Sequence, residues 1–365
     1  MGATAWAPTS DEILDLAGVR RRADRFRFEL CDRDLNPIGD LHPDRTGSIP
    51  GIDNDTASAT SRRLRGLRLL PDEAGDVDVI RDRLRVYMVL QDGAEYRLGT
   101  FLWADASRPQ RSWGAQQDSE LVDLCYVLDQ QATQAFGWGR GAEIGLVMLF
   151  LIGRAGFQLS DVAVMGDETR RSLAEPLSWQ PGTTWLSMLT DLGNLCGFAA
   201  PWFDRDGRLH LDQPPDPAVA EPTIPPYGPG GRVIADSVVY SDDVLMAPND
   251  FAVFDSGTDR LRTGRYQLPA TAPHSFANRG FRIGLVESVQ GLATQAQADK
   301  AARNLARSGG HAYEWLSFSS TADPRHDTWE VIDAFGQRWL ETAWTLELRS
   351  GGPMTHTMRR TSYAP

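Results

Sequence analysis

Between Trp179 and Asp212 the sequence commits to one small unit, a short helix followed by a hairpin, and offers almost no reactive chemistry. Pro181 and Gly182 break the preceding strand, Thr183 or Thr184 supplies a cap, and Trp185, Leu189, Leu192 and Cys196 recur at helical spacing until Gly197 stops the helix. Phe198 to Phe203 and Arg208 to Leu211 then predict two strands around Asp206-Gly207, a dipeptide that tolerates the positive φ angles of a tight hairpin. A scaffold element is being specified.

The same logic runs along the rest of the chain. Phe26, Phe28 and Leu30 alternate against Arg25, Arg27 and Glu29, and Leu84, Val86, Met88 and Leu90 lead through Asp92-Gly93 to Tyr96, Leu98 and Phe101, which predicts a hairpin. Further strands are expected near Gly47 to Ile52 and Thr60 to Leu70, giving an antiparallel sheet or small barrel over the first third; Ser119 to Ala135 has mixed period. Beyond a proline-rich stretch, strands are expected at 233–240, 249–255, 282–289, 313–319, 329–335 and 339–348. In the last, Leu340, Thr342, Trp344, Leu346 and Leu348 face one way, and Glu341, Ala343, Thr345 and Glu347 the other. Gly139 to Gly156 predicts a helix whose apolar residues exceed one stripe and must be covered on several sides. Thr294 to Gln297 fits a capping box for a helix with a narrow stripe of Ala298, Ala301, Ala302 and Leu305. No internal repeat is visible residue by residue.

At 365 residues two or three domains are expected, and 41% apolar with 24% charged residues indicates a folded chain. The longest apolar run, Ile144 to Ile152, is too short to span a bilayer. No secretion leader is read at Met1, so synthesis and folding in a cytoplasm are expected. A net charge of -12 disfavours stable nucleic-acid or anionic-membrane binding. Lys300 is the sole lysine, and arginines cluster at Arg20 to Arg22 and at Arg62, Arg63 and Arg65. Cys31, Cys125 and Cys196 lack any metal-ligand spacing and are read as buried free thiols.

The sequence carries no sharp catalytic signature. There is no Gly-x-Ser-x-Gly elbow, and Ser10, Ser107 and Ser275 lie in turn-like settings. His42, His210, His274, His311, His326 and His356 are scattered and read as surface or strand histidines. Asp53-Asn-Asp55 and Asp204-Arg-Asp206-Gly207 lack the remaining acids of a calcium loop and fit turns. His326-Asp327 and Glu330 supply an acid and a base without the fixed carboxylate pair of a glycosidase. Gly139-Arg-Gly141-Ala-Glu-Ile-Gly145 mimics a dinucleotide loop without its βαβ unit. Trp185, Trp315 and Trp344 read as core, and Trp6, Trp113 and Trp138 as contact anchors. No catalytic, cofactor-binding or metal-ligating residue is assigned, and no cofactor is expected.

The helix after Pro-Gly-Thr-Thr and the aromatic, Asp-x-x-Gly, Arg-Leu hairpin resemble the middle of minor tail proteins of tailed bacteriophages, more narrowly the tail-tip or baseplate hub. Phe26 to Cys31, Tyr96 to Trp103, Pro248 to Phe254, Thr294 to Arg303 and Met354 to Arg360 extend the resemblance over most of the chain. It implies a mainly β, α+β fold of two tube-like antiparallel β-barrel domains, at 24–135 and 232–365, the second carrying helix 294–308. An N-terminal arm at 1–23, a helix-rich insertion with a hairpin at 136–212 and a Pro/Gly-rich connector at 213–231 complete the organisation. It further implies a homotrimeric, non-enzymatic structural hub in the virion, joining the tail tube to the spike or receptor-binding proteins, with tube and tape-measure proteins as neighbours. DNA would be transient cargo in a lumen lined by part of the negative charge. Two alternatives remain: a tail-associated hydrolase or carbohydrate-binding protein acting on the host envelope, and the hub of a phage-like injection particle.

Overall fold

The computed structural model describes residues 24–361 apart from short segments at 45–48, 108–109, 112–113, 116, 218, 229–231, 235, 243–246, 256–261, 273, 290–291, 293 and 309–312. The N-terminal arm, Trp6, Trp113 and His311 lie outside the described residues.

The alternating segments form one large antiparallel sheet. From the first half come β1 (Arg25–Cys31), β2 (Pro37–Leu41), β3 (Gly51–Asp55), β4 (Arg62–Leu69), β5 (Arg83–Val89), β6 (Glu95–Ser107) and β7 (Gln117–Val122). The insertion contributes the short paired strands β8 (Phe136–Trp138) and β9 (Leu177–Trp179), the helices α1 (Ile144–Ala155) and α2 (Trp185–Cys196), and a separate three-stranded sheet of Val162–Met165 with the expected hairpin Trp202–Phe203 and Leu209–Leu211. The second half adds β10 (Val239–Asp242), β11 (Asp250–Asp255), β12 (Thr263–Gln267), β13 (Gly284–Val289), helix α3 (Gln295–Ser308), β14 (Tyr313–Thr321), β15 (Val331–Ala334), β16 (Gln337–Glu347) and β17 (Pro353–Thr361).

The twelve strands of the main sheet run in the order β10-β14-β17-β16-β3-β4-β7-β6-β5-β1-β2, with β15 hydrogen-bonded to β16. This corrects the expectation of two β-barrels: among the described residues no sheet closes, and β2 and β10 remain as edges. The cause is one pairing. Gly51 to Asp55 pairs antiparallel with Ala343 to Glu347, so the early and late strands become neighbours in a single sheet. Alternation fixes which residues face inward along each strand, whereas lateral partners are chosen by contacts far apart in sequence.

Four apolar clusters lie around this sheet. Ile52, Leu64, Leu84, Val86, Phe101 and Trp344 pack in one that draws on both halves. Ile224 and Tyr227, from the proline-rich stretch, pack with Leu316, Phe318, Ile332 and Trp339 in another. In a third, β11, β12 and β13 form a small sheet whose Phe251 and Val253 meet Ala298, Ala302 and Leu305 of α3. The capping box is present: the Thr294 N–H donates to Gln297 Oε1, and the Gln297 N–H to Thr294 Oγ1.

The fourth cluster is the insertion, and it contains an internal duplication that the sequence conceals. Phe136 to Trp138 pairs antiparallel with Leu177 to Trp179, each strand leading through a glycine with positive φ, Gly141 or Gly182, into a helix of twelve residues. Each helix ends at a left-handed glycine, Gly156 or Gly197, followed by a phenylalanine. The crossing contacts repeat position for position. Gln131 bridges Thr184 as Ser172 bridges Glu143, and the Ala132 N–H reaches the Thr183 carbonyl as the Leu173 N–H reaches that of Ala142. Two strand-turn-helix units are therefore related by a local two-fold axis through the Gly137 and Ser178 pair. In the single chain the α1 face carrying Leu146 and Phe150 is exposed, while the face carrying Val147, Met148 and Leu151 is buried.

Small residues on α3 permit an unusually close approach. A Cβ at Gly264 would lie 1.9 Å from the Ala298 carbonyl oxygen, a main-chain atom that cannot rotate away. Gly264→Ala is expected to force β12 and α3 apart at a cost of roughly 1–3 kcal/mol, the range for overpacking. Faster hydrogen exchange across 295–308 together with a lower denaturation midpoint would confirm the contact, and unchanged values would refute it.

Candidate functional site: a buried histidine and carboxylate cluster

A buried polar assembly forms where β14, β16, β17 and the loop 322–330 meet the proline-rich stretch. His356 sits on β17 between Met354 and Met358 on the inward face, paired opposite Phe318 of β14 and Trp344 of β16. Glu341 belongs by simple alternation to the outward face of β16. A register shift between Glu341 and Ala343 turns it inward, so that Glu341 and Thr342 are both buried before alternation resumes at Trp344. His326 arrives from the loop, and His326, Glu341 and His356 are 2%, 1% and 0% exposed.

The two imidazoles share one carboxylate. His326 Nδ1 lies 2.5 Å from Glu341 Oε2, and His356 Nδ1 lies 2.7 Å from Glu341 Oε1. On the far side of each ring stands a hydroxyl, Tyr227 Oη at 2.8 Å from His326 Nε2 and Ser320 Oγ at 2.8 Å from His356 Nε2. Ser320 Oγ is also 2.8 Å from the Thr321 carbonyl oxygen, and its single proton serves one acceptor or the other. Asp323 pairs with Arg232 and, at 2.7 Å, with Arg325, while the Arg232 guanidinium lies 4.4 Å from the centre of the Tyr227 ring. Each charge in this group has an opposite neighbour.

Burial sets the protonation states. It drives the His326 imidazole down to about 4, against the opposing field of Asp323 and Glu330. His356 is lowered for the same reason, its hydrogen bond to Glu341 resisting. Glu341 is pushed above the usual carboxylate range by burial, with His356 pulling back. Burial alone would raise Asp323, but the Arg325 hydrogen bond, with His326, Arg232 and Arg325 nearby, holds it well below its ordinary value.

Among the described residues, His326, Glu341 and His356 are the group that could hold a metal, their ligand atoms lying within 4.8 Å of one another. The Nδ1 to oxygen separations are hydrogen-bond lengths, however, and a cation held at about 2.0–2.2 Å by both groups would set those atoms about 3 Å apart. The arrangement is a hydrogen-bonded, charge-balanced polar core. A buried network of this kind specifies one packing, because any half-broken version strands an unpaired group.

The other residues singled out in the sequence are dispersed. His42 meets Glu73 at the surface, His210 meets Asp204 and stacks on Trp202, and His274 lies beside Arg279. Asp327 is held by Arg62 at 2.5 Å and by Arg205, and Glu330 accepts from Thr223, so no free carboxylate pair faces a cleft. Asp53 pairs with Arg65, and Asn54 accepts from Thr328. Asp55 and Asp204 accept main-chain N–H groups of their own turns, and Asp206 pairs with Arg97. Cys31, Cys125 and Cys196 are buried free thiols, with Cys31 and Cys196 pushed up to about 11 by burial. Trp344 is buried, and Trp138, Trp185 and Trp315 are half-buried. The glycine run at 139–145 turns from an antiparallel strand into α1.

The sequence signal for the cluster was faint: His356 at a core-facing position between two methionines. The bulge at Glu341 and the loop that delivers His326 leave no local trace.

The fold of this chain is similar to that of several solved phage tail proteins. It superimposes on the 43 kDa tail protein of prophage MuSo2 from Shewanella oneidensis with a TM-score of 0.62, over 91% of this chain and 98% of that one, at 11% identity. The tail protein from Neisseria meningitidis MC58 gives 0.61 over 92% and 97% at 13% identity. Prophage tail protein gp18 from Listeria monocytogenes EGD-e gives 0.57 over 92% and 94% at 10% identity. No protein-family model and no curated protein sequence matches the chain.

Stability is expected to fall in mild acid. The folded cluster holds its imidazoles below 6.5, so between that pH and about 4 the unfolded chain binds more protons, and stability is lost as pH falls through this window. Each such proton contributes roughly 1.4 kcal/mol per pH unit. The raised Glu341 works the other way and offsets part of one proton. Urea midpoints between pH 7 and 4 check the slope. His356→Gln should flatten it while lowering stability at pH 7, and an unchanged slope would contradict the assignment.

Proposed function

We propose that this chain is a structural hub of a phage tail tip, joining the tail tube to the distal spike or receptor-binding proteins and forming part of the path by which DNA leaves. The observation that carries the proposal is the coincidence of fold with three tail proteins over at least nine tenths of every chain compared, leaving little outside the shared architecture for a separate activity. The chemistry of the core fits the same reading: its histidines and carboxylates are sealed from solvent and consumed by one another. The chain acts in the virion, as a scaffold and not as an enzyme.

Within that reading the protein assembles as a homotrimer around the tail axis. The segments 24–135, 136–212 and 232–365 serve as its working units, and 213–231 as the connection between the insertion and the last of them. Its neighbours are tube proteins, tape-measure protein and spike components. DNA is a passing cargo, and part of the net charge of -12 lines its path, since carboxylates repel a phosphate chain at distances within about 8 Å at physiological salt. The same structure would serve equally as the hub of a phage-like injection particle, which differs in cargo and not in this chain's fold.

A reconstruction of the intact particle provides the test. Three copies encircling the tail axis next to the tube are expected. Six copies in a ring, a single copy on the axis, or absence from the tail would overturn the hub assignment, and a bore lined by unpaired arginines would overturn the repulsive lining.

A further inference from the structure

The main sheet and the small sheet packed on α3 end in four edge strands, β2, β10, β12 and β13. Three of them are short or blocked. β2 carries Pro37 and a register shift, β10 is four residues long, and on β12 the Gln295 side-chain amide takes the Thr263 carbonyl at 2.9 Å. β13 is different. It pairs in parallel with β11 on one side, and among the described residues no strand pairs with its other side. It contains neither proline nor lysine, and Val286 near its centre is 59% exposed.

The register shows which main-chain groups of β13 face away from the sheet. The Ile283 carbonyl accepts the Asp250 N–H at 3.1 Å, so by strand alternation residues 285 and 287 also turn toward β11. Gly284, Val286 and Ser288 then present a row of outward N–H and C=O groups, a pattern that another extended backbone matches in full. The surrounding side chains add a charge preference. Where the chain enters β13, exposed Phe276 and Phe281 lie beneath arginines, with Arg282 at 4.7 Å from the centre of the Phe276 ring and Arg279 at 5.6 Å from that of Phe281. Arg265 and Arg282 share the single carboxylate of Asp250, at 2.8 and 3.7 Å, which leaves positive charge in excess on that face. Glu287 lies across from Val253, on the opposite face, toward α3. A second β13 fits poorly here, because edge pairing about a two-fold axis would set both Glu287 carboxylates on one face and double the arginines on the other.

We propose that β13 accepts an extended segment of a neighbouring tail protein as a fourth strand of the small sheet, pairing along Gly284 to Ser288 and carrying an acidic residue that meets Arg282. Main-chain hydrogen bonds hold the segment, Phe276 and Val286 meet its apolar side chains, and the acid on Arg282 fixes its register. The inference rests on the hub reading for its setting and gives that reading a specific point of attachment.

Hydrogen exchange of assembled particles against the purified chain tests it. The outward amides of Val286 and Ser288 are expected to exchange freely in the purified chain and to slow by about tenfold or more in particles. The amides of Leu285 and Glu287, bonded to β11, should be protected in both. Ser288→benzoylphenylalanine identifies the occupant: illumination of particles should link it to one acidic segment of another tail protein. Linkage to a second copy of this chain, or no linkage, overturns the proposal. Val286→Pro removes an outward donor and should lower the yield of linked product several-fold while the thermal midpoint of the purified chain stays unchanged. Val286→Lys, which guards an edge without altering the backbone, should do the same and carries the test if the proline variant folds poorly. Arg282→Gln should lower the yield and Arg282→Lys restore it. If particles contain the chain with 284–288 exchanging as freely as in the purified protein, the added strand falls and the hub reading stands; if particles lack the chain, both fall.

Discussion

The rest of the structure depends on the five-residue pairing of Gly51–Asp55 with Ala343–Glu347. It joins strands from opposite ends of the chain, so its hydrogen bonds must offset the closure of a very long loop. What secures it is the packing over the seam. Leu346 and Ile52 face each other in the core, and Trp344 donates its indole N–H to the Asp327 carbonyl. The Arg62 guanidinium lies 5.5 Å from the centre of the Trp344 ring while bonded to the Asp327 carboxylate. Asn54 on β3 accepts from Thr328, so the loop that carries His326 is tied to the seam from both sides.

That arrangement makes the histidine and carboxylate cluster an extension of the seam. His326 and Asp327 are consecutive: one side chain enters the Glu341 network and the other neutralises Arg62. The two networks are thus joined by a single peptide link. Tyr227 and Arg232 bring the proline-rich stretch into the same assembly, and the Tyr227 N–H bonds the Asp333 carbonyl beside it. Groups that would each be costly to bury alone are retained because together they balance.

Much of the local structure was legible in the sequence. Thr184 caps α2, Thr294 and Gln297 form their capping box, and the hairpin from Arg83 onward has the expected alternation. Three features escaped for physical reasons. The β3 and β16 pairing has no local signature, and without it two separate barrels were the natural expectation. Glu341 was assigned outward because a bulge adds one residue to the count and reverses the face. The duplication was hidden because two-fold packing constrains a tryptophan, two turn or cap glycines, one helix leucine and a phenylalanine per unit, and leaves the remaining positions free to drift. The candidate site was not read: His326 and His356 were taken for surface or strand histidines, whereas both are buried, and only the flanking methionines Met354 and Met358 hint at the inward face of His356.

The duplication also bears on the order in which the chain acquires structure. Both units lie within 131–198 and contact each other across short separations, and every residue of their apolar cluster, from Leu102 to Leu211, has been synthesised well before the last strands. β3 must wait until residue 347 has emerged before it meets its partner, and in the meantime β3 presents an unpaired sheet edge. The early-folding insertion, whose cluster includes Leu102 and Val122 from β6 and β7, would hold those first strands in place during that interval, acting as a template during synthesis for a sheet that is completed only when the last strands arrive.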